Sequence, residues 1–459
     1  MAKRTKKLES LSSEISGAKL GDGRLSKRLG LLIDEIAESP AESFPNALGG
    51  SGPLEGAYRF FSNPKVTLEG ILEPHFAATA DRANASSRVL VVHDTTAFEF
   101  EGEAKRQGLG RLKSKGQGFF GHFSLAVSAD GRREPLGLLA VSTVFRLGPA
   151  APKKQRAKFP KGEAQRWRTG AEQAEARLAG GCRAVHVIDR EGDSYPLLSE
   201  LIGKERDFVI RAAHDRLLDG PVRKLREAAM LAPTVIVRDV ELSARRKKGP
   251  NFKSYLARRR RPARLSIAGT TVVLAPLIPG GGPTRLELNL VHVFELGPPA
   301  GEAPVEWLLL TTLPVGSSKA LEYVVDAYRA RWIVEEYFKA LKTGCQYEKR
   351  QLESAHALLN ALAVLAPVAW RLLLLRHLAR DAPTRPAIDA LTPTQVAVLK
   401  ATSKTPLPDS PSVRDALLAV AALGGHIKNN GEPGWQVLGR GFRDLLILEL
   451  GWQARGGPS

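Results

Sequence analysis

Along the chain, the spacing of apolar residues changes character several times. Near the start, RLSKRLGLLIDEIAESP puts Leu25, Leu29, Leu32, Ile33 and Ile36 on one helical face and stops at Pro40. A second helical start, EGAYRFFSNP, closes at Asn63 and Pro64. From residue 88 the helical period gives way to short apolar runs. RVLVVHD is β-branched and almost continuously apolar, as a strand covered on both faces should be. FFGHFSLAV and EPLGLLAVSTV are two more strand-like runs, and Asp130 and Gly131 between them fit a tight hairpin turn. Residues 161–179 then predict a helix, AVHVID at 184–189 a buried strand, and 194–203 a further helix.

That order (strand, two-stranded hairpin, helix, strand, helix) is the start of an α/β, ribonuclease-H-like core. In such a core the first and fourth strands lie side by side and parallel, and ligands bind at their carboxyl ends. From 206 to about 312 the pattern changes to repeated short strands: FVIRAA, VIVRDVEL, ARLSIAG, TTVVLAPL and LELNLVHVFEL. Gly/Pro-rich joints separate them, which predicts an inserted β domain. Helical patterning returns towards the C-terminus. The expected division is a helical head at 1–70, the ribonuclease-H-like core at 71–205 and 313–381, the β insertion at 206–312, and a C-terminal helical domain at 382–459.

Composition narrows the function. Hydrophobic residues at 43% and charged residues at 25% are globular values and exclude wholesale disorder. Cys182 and Cys345 are too few for a disulfide framework or a four-thiolate zinc site, which fits a reducing cytoplasm. MAKRTKKLES leads into no apolar stretch and is not a signal peptide, so a cytoplasmic location is expected. The most apolar window, Ala355 to Leu375, is interrupted by His356, Asn360, Pro367 and Arg371 and predicts a buried core helix with no membrane role. The 67 Lys and Arg against 48 Asp and Glu leave a net charge of +19, which points to a polyanion, nucleic acid above all. Arg24, Lys27, Arg28, Arg59 and Lys65 in the head suit DNA contact, although a cap of solvated charges would look the same. Arg245, Arg246, Lys247, Lys248, Lys253 and the arginines at 258–261 and 264 form a second, denser basic loop suited to phosphate contact.

The candidate chemistry lies in three carboxylates. VLVVHD ends in Asp94 and AVHVID ends in Asp189, two strand ends on one expected edge. From Ala327 to Thr343 there is no helix breaker, and Gly344 supplies a stop. At about 100° per residue, Tyr328, Arg331, Glu335 and Lys342 fall within an arc of roughly 60°. Glu336 lies about 100° off that stripe, so Glu335 is the candidate. Three clustered carboxylates need a cation, and hard oxygen ligands suit two Mg²⁺ ions, or Mn²⁺, acting on a phosphodiester.

These motifs resemble the DDE transposases of the bacterial insertion-sequence-four family, in particular the Tn-five-like cut-and-paste enzymes. The catalytic and metal-binding triad of that family maps onto Asp94 in HDTTAF, Asp189 in IDREGDSY, and Glu335. Its Y-x2-R-x3-E-x6-K signature maps onto Tyr328, Arg331, Glu335 and Lys342, and further similarity runs from LGDGRLSKRL to LGGHIKNNGEPGW. The resemblance implies a bacterial, nucleoid-associated homodimer that holds two transposon ends on double-stranded DNA, with residues 1–70 binding DNA, 71–205 and 313–381 forming the catalytic core and 382–459 dimerising. It implies a nick, a hairpin intermediate, its reopening, and joining of the 3′ ends to target DNA. It also implies phosphate contacts from Tyr328, Arg331 and Lys342, and a DNA-proximal place for Arg211. Trp307 in EWLLLTT matches the tryptophan on which a flipped base stacks, or is simply core beside its leucines. His93 and Asp193, beside the triad, read either as partners that support the metal ligands or as turn and strand residues, the second reading being preferred and neither being catalytic. Two other functions fit parts of the pattern: a catalytically inactive, transposase-derived DNA-binding regulator, and a nuclease without strand transfer. All three carboxylates are present, which argues against the first; the β insertion argues against the second.

Overall fold

A computed structural model describes residues 11–38, 50–102, 105–112, 116–147, 164–179, 181–242, 258–275, 285–302, 304–427 and 431–454. The chain opens with helices α1 (Leu11–Glu14), α2 (Gly23–Glu38), α3 (Ser51–Ser62) and α4 (Leu68–Asn84). Strands β1 (Arg88–Phe100), β2 (Gly110–Arg111), β3 (Gln117–Ser128) and β4 (Pro135–Val144) follow, then α5 (Gln165–Leu178). Next come β5 (Arg183–Ile188), α6 (Tyr195–Gly203), β6 (Asp207–Arg211) and α7 (Leu225–Leu231). Four strands come after these: β7 (Thr234–Leu242), β8 (Arg261–Leu274), β9 (Leu286–Leu296) and β10 (Glu306–Thr311). Helices α8 (Ser318–Ala330), α9 (Trp332–Lys339), α10 (Ala355–Asp381), α11 (Pro393–Thr402), α12 (Val413–Leu423) and α13 (Trp435–Ala454) complete the described elements.

The chain divides into two units. One comprises Met1–Ser87, Asp94–Cys182 and Trp332–Ser459; the other comprises Arg88–His93 and Arg183–Arg331. Strand β1 thus contributes its first half to the second unit and its second half to the first.

In the first unit, β4 pairs antiparallel with β3. The hairpin turn falls where Asp130 and Gly131 predict it: Gly131 takes φ 86, and Asp130 accepts from the Ser128 hydroxyl at 2.8 Å and the Arg132 N–H at 3.1 Å. Helix α10 is the core of this unit. Leu358, Leu362, Val364 and Trp370 are completely buried, and the Trp370 indole N–H donates to the Pro135 carbonyl at 2.9 Å. It is the one described helix long and apolar enough to cross a membrane, and 94% of its apolar window lies inside the protein, as its polar interruptions predict.

Hydrogen bonds at both ends of the head fasten it to this core. Glu14 of α1 accepts from His75 Nδ1 at 2.8 Å and from Arg82 Nη2 at 2.6 Å, both on α4. At the far end of α3, His356 Nε2 lies 2.9 Å from the Asn63 carbonyl, and the Asn360 amide donates to the carbonyls of Phe61 and Val66.

In the second unit the strand order is β1-β5-β6-β10-β9-β8-β7. The β1–β5 and β5–β6 pairs are parallel, and the pairs from β6–β10 onward are antiparallel. The strands of 206–312 therefore extend the sheet of β5 through β6, with one short helix, α7, among them. Two sequence expectations need correction. ARLSIAG and TTVVLAPL form one strand, β8, in unbroken register with β9 from Arg264↔Leu296 to Leu274↔Leu286. Gly269 does not break it, because Leu321 and Val315 pack where its side chain would be; a Cβ there would lie 2.6 Å from Leu321 Cδ2.

The second correction concerns 327–343, which is not one uniform helix. Helix α8 stops at Ala330, the Arg331 N–H turns back to the Tyr328 carbonyl three residues earlier, and α9 begins at Trp332. Residues Ala340–Gly344 then widen into a π turn, closed by the Cys345 N–H on the Ala340 carbonyl at 2.8 Å. A constant 100° per residue therefore does not carry from Tyr328 to Lys342.

Candidate functional site

In the second unit, His93 of β1 lies opposite Ile188 of β5 in parallel register. The residue after each is a candidate carboxylate, Asp94 and Asp189. Asp189 caps a single tight turn, Arg190–Gly192, by accepting from the Glu191 N–H at 2.8 Å. This is the local reason for DREGD: the carboxylate closes the turn that carries the chain off the strand end.

Four other candidates gather in the same unit. Tyr328 is buried, and its ring meets that of half-buried Trp307 edge-on. Burial raises the Tyr328 pKa and the Asp189 charge adds to the rise, while Arg211 and Arg331 oppose it. Arg211 donates to the Glu306 carbonyl at 2.9 Å, and its Nε is buried without a hydrogen-bond partner. Burial lowers its pKa, and Arg190 and Arg331 lower it further. Asp189, Arg211, Trp307, Tyr328 and Arg331 are thus in one electrostatic neighbourhood, rich in guanidinium.

Asp193, five residues beyond Ile188, has a different occupation. Its Oδ2 accepts from the N–H groups of Ala213 at 2.7 Å and His214 at 3.3 Å, and Arg216 Nε donates to its Oδ1 at 3.1 Å. Both side chains of this pair are buried, so Asp193 fastens the segment after β6. His93 lies 2.9 Å from His186, ring nitrogen to ring nitrogen, and both are fully buried strand residues.

The first unit holds Asp94, Glu335 and Lys342. Asp94 Oδ1 accepts from the Thr95 N–H at 2.7 Å. Helix α9 is anchored by Tyr337 and Phe338, whose rings lie 5.7 and 5.5 Å from that of Phe123 on β3. The Lys342 ammonium donates to the Ala97 carbonyl of β1, pairs with Glu348 at 3.2 Å and sits 5.2 Å from the Phe98 ring centre. The helix of Glu335 is thereby tied to the half of β1 that begins at Asp94. Glu336, the rejected neighbour, is engaged with Lys339.

A group that sequence reasoning missed lies beside Asp94. Arg166 Nε donates to Thr95 Oγ1 at 2.8 Å, and His122 Nδ1 is 3.0 Å from the same oxygen. Its one sequence signal is a pair of arginines at the start of a helix.

Among the described residues, no three His, Cys, Asp or Glu side chains are grouped to hold a metal ion. Asp94, Asp189 and Glu335 are half-exposed carboxylates, hard oxygen donors of the type that suits Mg²⁺.

The basic regions are more paired than their sequence suggests. Arg24 meets Asp22 at 3.2 Å, and Arg59 meets Glu55. Arg261 is held by Glu295 and by Glu302 at 2.9 Å, Arg260 by Glu241 at 3.5 Å and Arg264 by Asp239 at 3.2 Å. Arg261 is half-buried, its partner Glu295 is fully buried, and the pair belongs to the fold. The exposed pairs are weak, about 0–1 kcal/mol each, and readily exchanged for phosphate. Arg245, Arg246, Lys247, Lys248 and Lys253 lie outside the described residues, as do Lys428, Asn429 and Asn430 of the C-terminal motif.

A cryo-EM structure of a piggyBac transposase synaptic complex with hairpin DNA is similar at a TM-score of 0.36 and 9% identity, over 82% of this chain and 70% of that one. A likeness of that size bears no weight. Family matches are more informative: residues 9–66 match the transposase DNA-binding family and residues 163–369 the transposase DDE domain. The first match covers the basic head, and the second spans Asp189, Arg211, Trp307, Tyr328, Arg331, Glu335 and Lys342. The chain therefore joins a transposase DNA-binding domain to a transposase DDE domain, which is the make-up of a DDE transposase.

Proposed function

We propose that the protein is a cut-and-paste transposase of the Tn-five-like branch of the insertion-sequence-four family. It binds the inverted repeats at transposon ends as a homodimer, cuts double-stranded DNA through a hairpin, and joins the freed 3′ ends to a target. The observation that carries this reading is the parallel register of His93 with Ile188, each followed by an aspartate, inside a chain that matches the DDE domain. With β1 shared between its neighbours β3 and β5, we read the surrounding strands as a ribonuclease-H-like core.

Asp94, Asp189 and Glu335 would hold two Mg²⁺ ions, or Mn²⁺, which when bound activate a hydroxyl nucleophile and stabilise the leaving oxygen. The remaining chemistry belongs to side chains of the chain itself. Arg211 and Arg331 present cations to backbone phosphates, and the buried Tyr328 phenol donates a hydrogen bond. Lys342 exchanges Ala97 and Glu348 for a phosphate. Trp307 offers the half-exposed face of its indole to an extruded base. Water attacks one strand; the 3′-hydroxyl so released attacks the opposite strand; a second water opens the hairpin; and the 3′-hydroxyl attacks target DNA. Each step is the same phosphoryl transfer, which is why one set of carboxylates serves all of them.

The test uses the purified chain and a duplex carrying the inverted repeats that flank its gene. Glu335→Ala is expected to bind the ends and to make neither nicks nor strand-transfer joints. Cleavage by that variant at the wild-type rate refutes the proposal.

A further inference from the structure

Helix α5 starts with two arginines, Arg166 and Arg168, in its first turn. Exposed N–H groups already carry partial positive charge at that end of a helix, so a cation there is disfavoured by roughly 0.3–1 kcal/mol. Arg166 is nevertheless held in a defined place. Its Nε donates to Thr95 Oγ1 at 2.8 Å, and its guanidinium lies 5.4 Å from the Trp167 ring centre. Thr95 Oγ1 is also 3.0 Å from Nδ1 of His122, a buried ring that meets Trp167 edge-on at 4.7 Å. Burial, with the Arg166 charge adding to it, holds the His122 pKa down at about 3, so the imidazole is neutral at the pH of any living cell. Thr95, backed by His122, orients the guanidinium. The same Thr95 donates its backbone N–H to Asp94 Oδ1 at 2.7 Å. One threonine therefore fixes a candidate catalytic carboxylate and a cation together, an arrangement that packing alone does not require.

We propose that Arg166 is an additional DNA-gripping residue, set in place by Thr95 and His122, which presents its cation to a backbone phosphate beside Asp94. The proposal rests on the transposase reading and adds a residue outside the Tyr-Arg-Glu-Lys signature. Arginine suits the task because it remains charged and its planar fork matches phosphate oxygens.

The test measures end binding across a salt series and, separately, single-turnover cleavage, both with the full chain and the duplex of flanking repeats. Losing one phosphate contact should make the slope of log affinity against log salt shallower by about one. Arg166→Ala is expected to show that change and to cut about 10- to 100-fold more slowly. Arg166→Lys keeps the cation but not the Nε bond, so it should restore the slope and not the rate. Thr95→Val should keep the slope and lower the rate. A wild-type slope for Arg166→Ala overturns the proposal whatever its rate, because the residue would then serve the fold alone. A wild-type protein that binds the ends and never cuts them refutes the catalytic reading and leaves the slope to decide on Arg166; one that binds no DNA overturns both.

Discussion

The rings of Trp307 and Tyr328 meet edge-on, their centroids 5.2 Å apart and their planes at 66°. Tyr328 is buried and Trp307 only half-buried, so one aromatic backs the other. If the indole also receives a base, its removal costs about 1–3 kcal/mol of stacking. Trp307→Ala should then slow hairpin formation roughly 5- to 150-fold and leave the first nick nearly unchanged. Denaturing gels of a single-turnover reaction resolve the two steps.

The divalent ion is expected to serve chemistry and not end binding. Chelation with EDTA should abolish nicking and joining, with recovery on adding Mg²⁺ or Mn²⁺, while a mobility-shift assay still detects the complex with the ends.

Acid should loosen the head through Glu14. Leu138 N–H donates to His75 Nε2 at 3.1 Å, so the ring proton sits on Nδ1 and the histidine faces Glu14 neutral, with Arg82 balancing the charge. Burial alone would raise the Glu14 pKa, but the His75 bond and Arg82 overcome it and bring it from 4.5 to about 2. The stability this supplies is complete above about 4.5 and is lost as the pH falls towards about 2. His75, whose pKa burial lowers, acts in the same sense, because its protonation below its ordinary value favours the unfolded chain. Glu14→Gln should lower the melting temperature at neutral pH and flatten its fall over the acid range, measured by thermal unfolding.

Asp193 stands near the triad in sequence, yet its partners are structural. Arg216→Ala would strand a fully buried carboxylate, at a cost of about 3–5 kcal/mol. A denaturant titration should show the lower midpoint, and the extent of the loss should not depend on Mg²⁺.

How much of this was legible beforehand depended on the range of the interaction. Asp189 at the end of its strand, the Asp130–Gly131 turn and the buried nature of α10 follow from local pattern and stand in the structure; Asp94, expected to end its strand, lies inside β1, which runs on to Phe100 after its pairing with β5 stops at His93. The break at Arg331 and the π turn before Cys345 were invisible, because a periodicity count assumes one geometry until a Gly or Pro interrupts it. Gly269 misled for the opposite reason: it reads as a breaker, but serves the close approach of Leu321. The partnership of Asp193 with Arg216, and that of Arg166 with Thr95, join residues 23 and 71 positions apart, and nothing local announces either. Net charge counts Arg261 with the other basic residues of its loop, whereas Glu295 and Glu302 hold it in the fold.

The Asn360 amide gives one further consequence. It reaches from the second turn of the core helix to the carbonyls of Phe61 and Val66, at 2.9 and 3.0 Å, across the turn that ends the head. That turn is short and lies at a helix end, the sort of place that ordinarily frays within milliseconds. Here it cannot open without breaking bonds to a side chain that itself moves only when the core does. Amide protons of α10 and slow deuterium uptake around residues 60–66 should therefore share one exchange rate, making the head a part of the same cooperative folding unit rather than a separately breathing appendage.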